Sequence, residues 1–409
     1  MFARKLEPSE YWQARRVMAV AFEGVFEQEK ELEKAKTDKY DPKEDLYGAF
    51  LTEDGPLAGS IVINNKTSRF DGHTVKMGGV GGVATLPAQR RGGAIRACME
   101  LALREMYDKG YALSHLYPFS TAYYRQFGFA PAGQSLRWRV ELADLRCLPN
   151  AGGTVEQLFP GDDLSPLLDI YNRRYGDTNF SCLRDSFDKD LEGDKLLTSK
   201  RWIFLWRCNS GEPRAFMVCS RVGNSLVCYP DFSLPNALLF ADATALTGLL
   251  NFVYASFLAN FDSIEFSVPA HLDLTALLPE LTSTKYSPAL NGMARAVNAE
   301  ALLKLCRCKG QGSLVIKVTD GILPENNDTF SLTFAQGAEN QVERTGSAPD
   351  ITMDVGDLSV LLGGARDTSS IELSPGIAVS NPSAPLEQVF YRKPCHVLDL
   401  FYIDFKEGL

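Results

Sequence analysis

Residues 84–106, ATLPAQRRGGAIRACMELALREM, place two arginines and two glycines directly before an amphipathic helix. The preceding apolar run GGVGGVA ends at Leu86-Pro87, and Lys109-Gly110 supplies a C-terminal stop, so the order is strand, short loop, helix. The residues that recur at helical spacing are Ile95, Cys98, Met99, Ala102 and Met106. The first turn of a helix has N–H groups without partners and carries the positive end of the helix dipole, which favours an anion such as phosphate. The alternative is a solvated arginine pair followed by a flexible glycine turn.

The length and composition are typical of a globular protein with several domains. A chain of 409 residues is too long for one ordinary core and suggests two or three domains. Hydrophobic residues make up 45% and charged residues 23% of the chain, as in soluble proteins. No apolar run approaches the roughly 20 residues that span a bilayer, and MFARKLEPSEYW lacks the apolar core of a signal peptide. We therefore expect a cytoplasmic protein without a membrane partner.

The charge and the metal-ligating residue types exclude other classes. A formal charge of −9 argues against nucleic-acid binding, which needs a basic surface, and weakly favours cationic partners. The nine cysteines include no CxxC, and the four histidines are scattered without HExxH, so we expect neither a disulfide framework nor a metal site. Cys306-Arg307-Cys308 is the only close cysteine pair, and in a strand its side chains would point to opposite faces.

The chain divides into three segments of mixed α/β (α+β) character. Residues 1–150 read as a helix, an antiparallel meander, the helix after the glycine loop, and then a strand, a short helix and a strand. Residues 151–292 roughly repeat this layout, but no comparable glycine loop precedes their long helix, DATALTGLLNFVYASF. Residues 293–409 alternate strands with turns and short helices. The three segments are the predicted domains.

The stretch VGGVATLPAQRRGGAIRACMELALREM resembles motif A of the GNAT acetyltransferase superfamily. In that family a strand, a Pro-x-x-Arg step and an R/Q-x-x-G-x-G/A loop bind the pyrophosphate of acetyl-CoA. Two registers of the loop are open, Arg90 to Ile95 and Gln89 to Ala94, and both use the same amides. Further on, PFSTAYYRQFGFAPAG is similar to the family's splayed strand, short helix and Y-x-x-F-G-F/Y segment.

Over its full length the chain resembles the Eis (enhanced intracellular survival) N-acetyltransferases. They have a GNAT domain, a second GNAT-like domain and a C-terminal sterol-carrier-protein-like domain, for which DITMDVGDLSVLLGG is the recognisable pattern here. The resemblance implies an acetyl-CoA-dependent enzyme without a metal that forms homo-hexamers. Its small-molecule acceptors would be amines of aminoglycosides, polyamines or lysines.

The resemblance also implies which residues bind acetyl-CoA. The backbone of Val83, Ala84 and Thr85 would pair with the pantetheine amide and hold the thioester carbonyl, and Phe119-Ser120 would lie where two strands separate to admit the molecule. The pyrophosphate would be bound by the loop and first helical turn, which are Arg91, Gly92, Gly93, Ala94, Ile95 and Arg96.

Two residues receive catalytic roles from the same resemblance. Tyr124 would be the general acid that protonates the leaving thiolate of coenzyme A, while its neighbour Tyr123 aligns with an apolar position. The family's base is the carboxylate of the last residue, here Leu409. This sequence departs from the family ending, because the Asp404-Phe405 that resembles it is followed by KEGL.

Other interpretations of the sequence stay open. The third domain could carry a lipid or another hydrophobic molecule, or the enzyme could be a regulatory protein lysine acetyltransferase. A run of glutamates in AFEGVFEQEKELEK could line an amine-binding cleft, although such a run is usually a solvated helix face; its members are Glu23, Glu27, Glu29, Glu31 and Glu33.

Overall fold

The computed structural model describes residues 1–37, 41, 43–184, 187, 191, 200–229, 237–278 and 280–397. They fall into two compact units. Unit 1 draws on Met1–Ala132, Asn179–Cys182 and Asn291–Leu409, and unit 2 on Gly133–Thr178 and Leu183–Leu290. Every helix in these ranges is too short or too polar to cross a membrane. The predicted mixed α/β class is confirmed.

Unit 1 begins with a seven-stranded sheet in the order β1-β2-β3-β4-β5-β15-β6. Its strands are β1 (Phe2–Lys5), β2 (Glu44–Phe50), β3 (Leu57–Phe70), β4 (His73–Thr85), β5 (Leu113–Leu116), β6 (Ala130–Pro131) and β15 (Met293–Ala296). The helices that accompany it are α1 (Tyr11–Ala21), α2 (Gln28–Thr37), α3 (Ala94–Asp108) and α4 (Thr121–Arg125). β1 to β4 form an antiparallel meander, and α3 crosses over to β5, which runs parallel to β4.

Helix α3 forms where the sequence predicted it. Its buried face consists of Ala94, Ile95, Cys98, Met99, Ala102, Leu103 and Met106. After Lys109 the chain leaves the helix at Gly110, whose φ of 74° lies in the left-handed region that glycine adopts at low cost. The strand, loop and helix around the glycine pair are therefore confirmed, and they set the position of the loop above the sheet.

The C-terminal part of unit 1 has a five-stranded sheet in the order β18-β17-β16-β19-β20. The strands are β16 (Gln311–Thr319), β17 (Asp328–Ala335), β18 (Gln341–Arg344), β19 (Ile351–Asp354) and β20 (Ala378–Val379), and the helices are α7 (Ala299–Leu305), α8 (Val355–Leu362) and α9 (Leu386–Val389). One apolar cluster joins this sheet and α8 to the first sheet, because Met77 and Leu113 share it with Ile316 and Leu358. The two sheets of unit 1 therefore have a common core.

Unit 2 has an eight-stranded sheet in the order β14-β7-β13-β11-β10-β9-β8, with β12 paired to β10. The strands are β7 (Gln134–Glu141), β8 (Thr154–Leu158), β9 (Arg201–Arg207), β10 (Pro213–Val222), β11 (Ser225–Cys228), β12 (Ala237–Phe240), β13 (Ser263–Pro269) and β14 (Lys285–Leu290), and the helices are α5 (Ser165–Tyr175) and α6 (Ala243–Phe257). Gly248 lets α6 lie close to the sheet, because a Cβ there would come 2.2 Å from the Trp206 indole nitrogen.

Sheet membership does not follow the order of the chain. The sequence analysis placed β7 in the first domain, yet β7 pairs with β13 and β14, and its Trp138 and Val140 enter the core of unit 2. Conversely, β15 comes from far along the chain and pairs with β5 and β6 of the first sheet. The predicted ranges 1–150, 151–292 and 293–409 stay a prediction about domains.

A buried ion pair connects β15 to the segment that follows β16. The Arg295 and Asp320 side chains form a salt bridge, and both are completely buried. Arg295 also donates to the carbonyl oxygens of Phe127 and Ala296, and Asp320 accepts hydrogen bonds from the amide of Ile322 at 2.9 Å and the Asn326 side chain at 2.9 Å. Each guanidinium nitrogen and each carboxylate oxygen of the pair thus makes at least one hydrogen bond, which offsets part of the cost of burying two charges.

We expect Asp320→Asn to destabilise unit 1 strongly, because Arg295 would keep its charge in the core without a counter-ion. Breaking such a pair costs about 3–5 kcal/mol. Asp328→Asn is the matched control, since Asp328 forms its salt bridge with Arg344 at the surface and such pairs contribute about 0–1 kcal/mol. Thermal unfolding followed by circular dichroism checks this, and equal melting temperatures for the two variants would contradict it.

Candidate active site

The edge of β4 that faces β5 is paired along part of its length only. Residues 77–80 pair in parallel with residues 113–116, and within the described ranges no strand continues this pairing along residues 81–85. On the β3 side the register shifts between Ser60 and Val62, and Gly82 has a φ of 53°, so β4 carries a bulge there. The bulge and the end of β5 leave one edge of Val83, Ala84 and Thr85, the residues predicted to pair with pantetheine, without a strand partner in the described ranges.

The N-terminus of α3 opens beside this edge without a cap. Gly93 is the N-cap residue with a φ of 86°, and no side chain accepts a hydrogen bond from the first turn. The first helical hydrogen bond runs from the Ala97 amide to the Gly93 carbonyl oxygen, at 3.0 Å. The amides of Ala94, Ile95 and Arg96 therefore have no acceptor in the described structure. A Cβ on Gly93 would meet nothing within 4 Å, so the space beside the N-cap residue is open.

The side chains of the predicted pyrophosphate loop differ in their surroundings. Arg91, Gly92 and Gly93 are exposed, and Arg91 has a φ of 65°, which is uncommon for a residue with a side chain. Ala94 and Ile95 are buried in the core, so only their backbone groups face the loop. The loop thus offers backbone N–H groups and the exposed guanidinium of Arg91 to an anion.

Arg96 connects the two predicted motifs. Its guanidinium donates to Gln126 Oε1 at 2.6 Å and lies 5.3 Å from the centre of the Phe127 ring. It also lies 3.4 Å from Glu100 on its own helix. Gln126 and Phe127 directly follow α4, so the first turn of α3 and the end of α4 are neighbours. The side chain of Arg96 is engaged within the domain, while its amide stays at the helix mouth.

The segment between β5 and α4 places aromatic rings at the opening of the sheet. The Ser120 hydroxyl accepts a hydrogen bond from the Tyr123 amide at 3.3 Å and thereby caps α4. Phe119 is 72% exposed, and the centre of its ring lies 5.2 Å from that of Tyr123 and 5.3 Å from that of Tyr124. Phe119 and Ser120 therefore lie in the segment between β5 and α4, and their predicted place at the separation of two strands stays a prediction.

Tyr124 is buried in the core beneath the loop. It is 2% exposed and belongs to the same apolar cluster as Val80, Ile95 and Met99. Burial, with a smaller contribution from Tyr123, raises the pKa of the Tyr124 phenol above its usual value of 10. The phenol is therefore protonated throughout the physiological range, and its hydroxyl forms no hydrogen bond with the residues that the structure describes.

The corresponding helix mouth in unit 2 is closed. The N-cap of α6 is Asp242, whose carboxylate accepts a hydrogen bond from the Ala245 amide at 2.9 Å and pairs with Arg214 at 2.5 Å. An internal carboxylate thus occupies the position that an external anion would need. The long helix that lacks a preceding glycine loop in the sequence thus also has a capped first turn.

The glutamates of α2 pair locally. Glu31 and Glu33, together with Glu27 just before the helix, lie 3.1, 3.9 and 2.9 Å from the lysines three residues further along the chain. Such pairs are typical of a solvated helix face and give the amine-cleft interpretation no support. Leu409, the predicted base, lies outside the described residues, as do Asp404 and Phe405.

Sequence reasoning missed Arg295 as a residue that supports the site. Its guanidinium bonds to the carbonyl oxygen of Phe127, in the turn that follows α4 and Tyr124. The signal was a lone arginine in the apolar run GMARAVNA, because a charge in a buried strand needs a partner. Its partner, Asp320, could not be chosen among the other carboxylates without the fold.

Comparison with known families identifies two parts of the chain. The family described as acetyltransferase (GNAT) domain matches residues 3–132, and the family described as sterol carrier protein domain matches residues 299–396. A search of curated proteins finds no match.

Several solved structures share the fold over nearly the whole chain. A conserved protein of unknown function from Enterococcus faecalis has a TM-score of 0.84 and 19% identity, with 98% of this chain and 99% of that chain covered. A GCN5-related N-acetyltransferase from Anabaena variabilis has a TM-score of 0.79 and 18% identity, with 98% and 100% covered. Eis1 from Mycobacterium abscessus has a TM-score of 0.77 and 20% identity, with 98% and 100% covered.

The two family matches and the shared fold confirm the resemblance on which the sequence analysis rested. The uncapped glycine loop lies within the residues that match the GNAT family, and α8 lies within those that match the sterol carrier family. Residues 3–132 therefore form a GNAT acetyltransferase-type domain and residues 299–396 a sterol carrier protein domain, in a chain that shares its fold with Eis1 from Mycobacterium abscessus.

Proposed function

We propose that this chain transfers the acetyl group of acetyl-CoA to a primary amine of a small cationic molecule. The observation that carries the proposal is the uncapped N-terminus of α3 beside the open edge of β4, with Tyr124 in the same cluster. An open helix mouth binds phosphate, and an open strand edge binds an extended amide chain. Acetyl-CoA has a pyrophosphate, a pantetheine arm with amides, and a thioester that supplies the acetyl group.

The backbone binds the donor in this proposal. The amides of Ala94, Ile95 and Arg96 hold the pyrophosphate, and the exposed guanidinium of Arg91 adds positive charge. The open edge of residues 83–85 pairs with the pantetheine amides. Side-chain identity matters little for such contacts, but the positive φ values at Gly82 and Gly93 are needed to aim the backbone groups.

Tyr124 donates a hydrogen bond to the sulfur as the carbon–sulfur bond breaks. A thiol has a pKa of about 8.5 and the buried phenol has a pKa above 10, so complete transfer of the proton to a free thiolate is unfavourable. The phenol therefore acts mainly by stabilising negative charge that develops on the sulfur. Because the raised pKa keeps Tyr124 protonated, raising the pH toward 10 increases the neutral amine without removing the acid.

The acceptor is the least constrained part of the proposal. The net charge of −9 favours cationic amines, such as aminoglycosides and polyamines, or exposed lysines of proteins. The carboxylate of Leu409 as base and a hexameric assembly stay predictions from the resemblance. Light scattering of the purified chain tests the assembly, and a screen of amines for release of free thiol tests the acceptor.

A lipid-carrier function receives no support from the described packing. All eight residues of α8, the helix that the sequence singled out in the third domain, are buried. Leu358 and Leu361 share their cluster with Met77 and Leu113 of the first sheet. The apolar surface of this helix is therefore used to join the two parts of unit 1.

We expect Gly93→Asp to weaken the binding of coenzyme A at least about tenfold. A carboxylate at the N-cap repels the pyrophosphate, and it also accepts hydrogen bonds from the amide groups that the pyrophosphate would use. Gly93→Asn is the matched control, since asparagine has the same shape, tolerates the left-handed backbone and carries no charge. Gly110→Asp places the same residue at the other end of α3, where φ is 74° and the space is also open. Calorimetric titration with coenzyme A measures the three dissociation constants.

Equal dissociation constants for Gly93→Asp and Gly93→Asn would reject α3 as the pyrophosphate site. A stoichiometry of two coenzyme A molecules per chain would show that the capped helix of unit 2 binds as well. We expect one per chain.

We expect Tyr124→Phe to lower kcat by roughly 10²- to 10⁴-fold, the usual contribution of a positioned proton donor. The ring that packs against Phe119 and Phe129 is kept, so the thermal stabilisation by acetyl-CoA stays that of the wild type. Tyr123→Phe is the control and keeps a rate close to the wild type. A wild-type rate for Tyr124→Phe together with a slow Tyr123→Phe would mean that Tyr123 is the acid.

A further inference from the structure

Cys306 and Cys308 lie side by side, which the sequence analysis did not expect. It placed them on opposite faces of a strand, and that prediction is wrong. Helix α7 ends at Leu305 and Cys306 is its C-cap residue, so the alternation of a strand does not apply. The two sulfur atoms are 3.8 Å apart.

The segment that holds the two thiols is fixed by hydrogen bonds on both sides. The Asn340 side chain donates to the Leu303 and Cys306 carbonyl oxygens at 2.9 and 2.7 Å, and its nitrogen lies 3.4 Å from the Cys306 sulfur. The Arg307 amide donates to Asp71 at 2.6 Å, and the Arg307 carbonyl oxygen accepts from Tyr391 at 3.1 Å. The backbone between the cysteines is therefore held from both directions, and the sulfur atoms face each other in the folded protein.

The two thiols have different surroundings. Cys306 is 4% exposed, and burial together with its contact with Cys308 raises the pKa of its thiol. Cys308 is only partly buried, and its contact with Cys306 and the positive charge of Lys393 lower the pKa of its thiol, while burial and Asp71 oppose this. Lys393 is itself held by Asp71 at 2.6 Å, with both side chains buried. Cys308 is thus the more reactive and more accessible thiol of the two.

We propose that Cys306 and Cys308 form a redox-active dithiol that is oxidised to a disulfide by hydroperoxides. The Cys308 thiolate attacks one oxygen of the hydroperoxide, the oxygen–oxygen bond breaks, and Cys308 becomes a sulfenic acid as the other oxygen leaves as an alcohol or water. The Cys306 sulfur then attacks the Cys308 sulfur, and the sulfur–oxygen bond of the sulfenic acid breaks. The thiol proton of Cys306 goes to the departing hydroxyl, which leaves as water. Two thiols lose two electrons and two protons, and the hydroperoxide gains them.

The other cysteines of the chain provide internal controls. Cys147 is exposed, and no second cysteine sulfur is in contact with it among the described residues. Cys219 and Cys228 are near each other in unit 2 but are completely buried, so an oxidant reaches them only after unfolding. The dithiol of Cys306 and Cys308 differs from all three because it combines a partner sulfur with access from solvent.

Mass spectrometry of the intact folded protein after brief treatment with hydrogen peroxide tests the proposal. The protein is blocked with N-ethylmaleimide, unfolded, blocked again and cleaved after lysine, which releases residues 305–309 with both cysteines in one peptide. We expect this peptide to be two hydrogens lighter and free of maleimide, and to regain two thiols with dithiothreitol. Under the same conditions Cys147, which shares the peptide 110–189 with Cys182, carries maleimide or a sulfur oxyacid. Cys219 and Cys228, which share the peptide 201–285 with Cys208, carry maleimide, and fragmentation of each peptide assigns the label to the individual cysteine.

Two serine variants test the order of attack. In Cys306→Ser, Cys308 is oxidised to the sulfenic acid and further, and a dimedone adduct traps it. In Cys308→Ser, Cys306 stays reduced and takes maleimide after unfolding. A peptide that carries two maleimides while Cys147 is oxidised would overturn the proposal, as would Cys306 oxidation in Cys308→Ser at the wild-type rate. Circular dichroism of both variants, compared with the wild type, shows that the comparison is made on folded protein.

Discussion

The hydrogen-bonded ion pair of the buried Arg295 guanidinium is the interaction on which the candidate active site in unit 1 depends. Arg295 lies on β15, and its hydrogen bonds reach the Phe127 carbonyl oxygen and the carboxylate of Asp320. Phe127 belongs to the turn that follows α4, and Asp320 lies just after β16 of the C-terminal sheet. Because a buried cation tolerates little displacement from its acceptors, the turn after Tyr124 is held by residues far along the chain.

Two glycines allow the C-terminal domain to approach this turn. A Cβ on Gly128 would come 2.7 Å from Val355, and a Cβ on Gly356 would come 2.8 Å from the Gly128 carbonyl oxygen. The start of α8 thus packs directly against the backbone behind α4. The sterol carrier protein domain therefore packs against the acetyltransferase domain and shares an apolar cluster with it. It packs behind the turn that follows Tyr124, and this explains why α8 has no exposed apolar face.

The sequence predicted what local patterns control. Helix α3, its stop at Gly110 and the uncapped loop at Gly93 follow from spacing, glycine and the absence of a capping side chain. The sequence did not predict that β7 joins the sheet of unit 2 or that β15 joins the first sheet of unit 1. Pairing between strands that are distant in the chain is decided by the whole fold. The prediction for Cys306 and Cys308 was wrong because it assumed a strand, in which residues with this spacing were placed on opposite faces. After the end of a helix the backbone turns differently, and the two sulfur atoms lie 3.8 Å apart. Leu409 lies outside the described residues and stays a prediction.

Helices α3 and α6 differ in the residue that caps the first turn, and this difference bears on whether the turn is free to bind an anion. Both helices have 15 residues and a partly apolar face, and both leave amides free at the first turn. At α6 the Asp242 carboxylate accepts from one of these amides, and Arg214 neutralises its charge. At α3 the cap is Gly93, which costs only a few tenths of a kcal/mol relative to a polar cap and leaves the amides to an external anion. The cap residue, together with the open strand edge beside it, is therefore the difference between the two helices on which the proposed phosphate site at α3 rests.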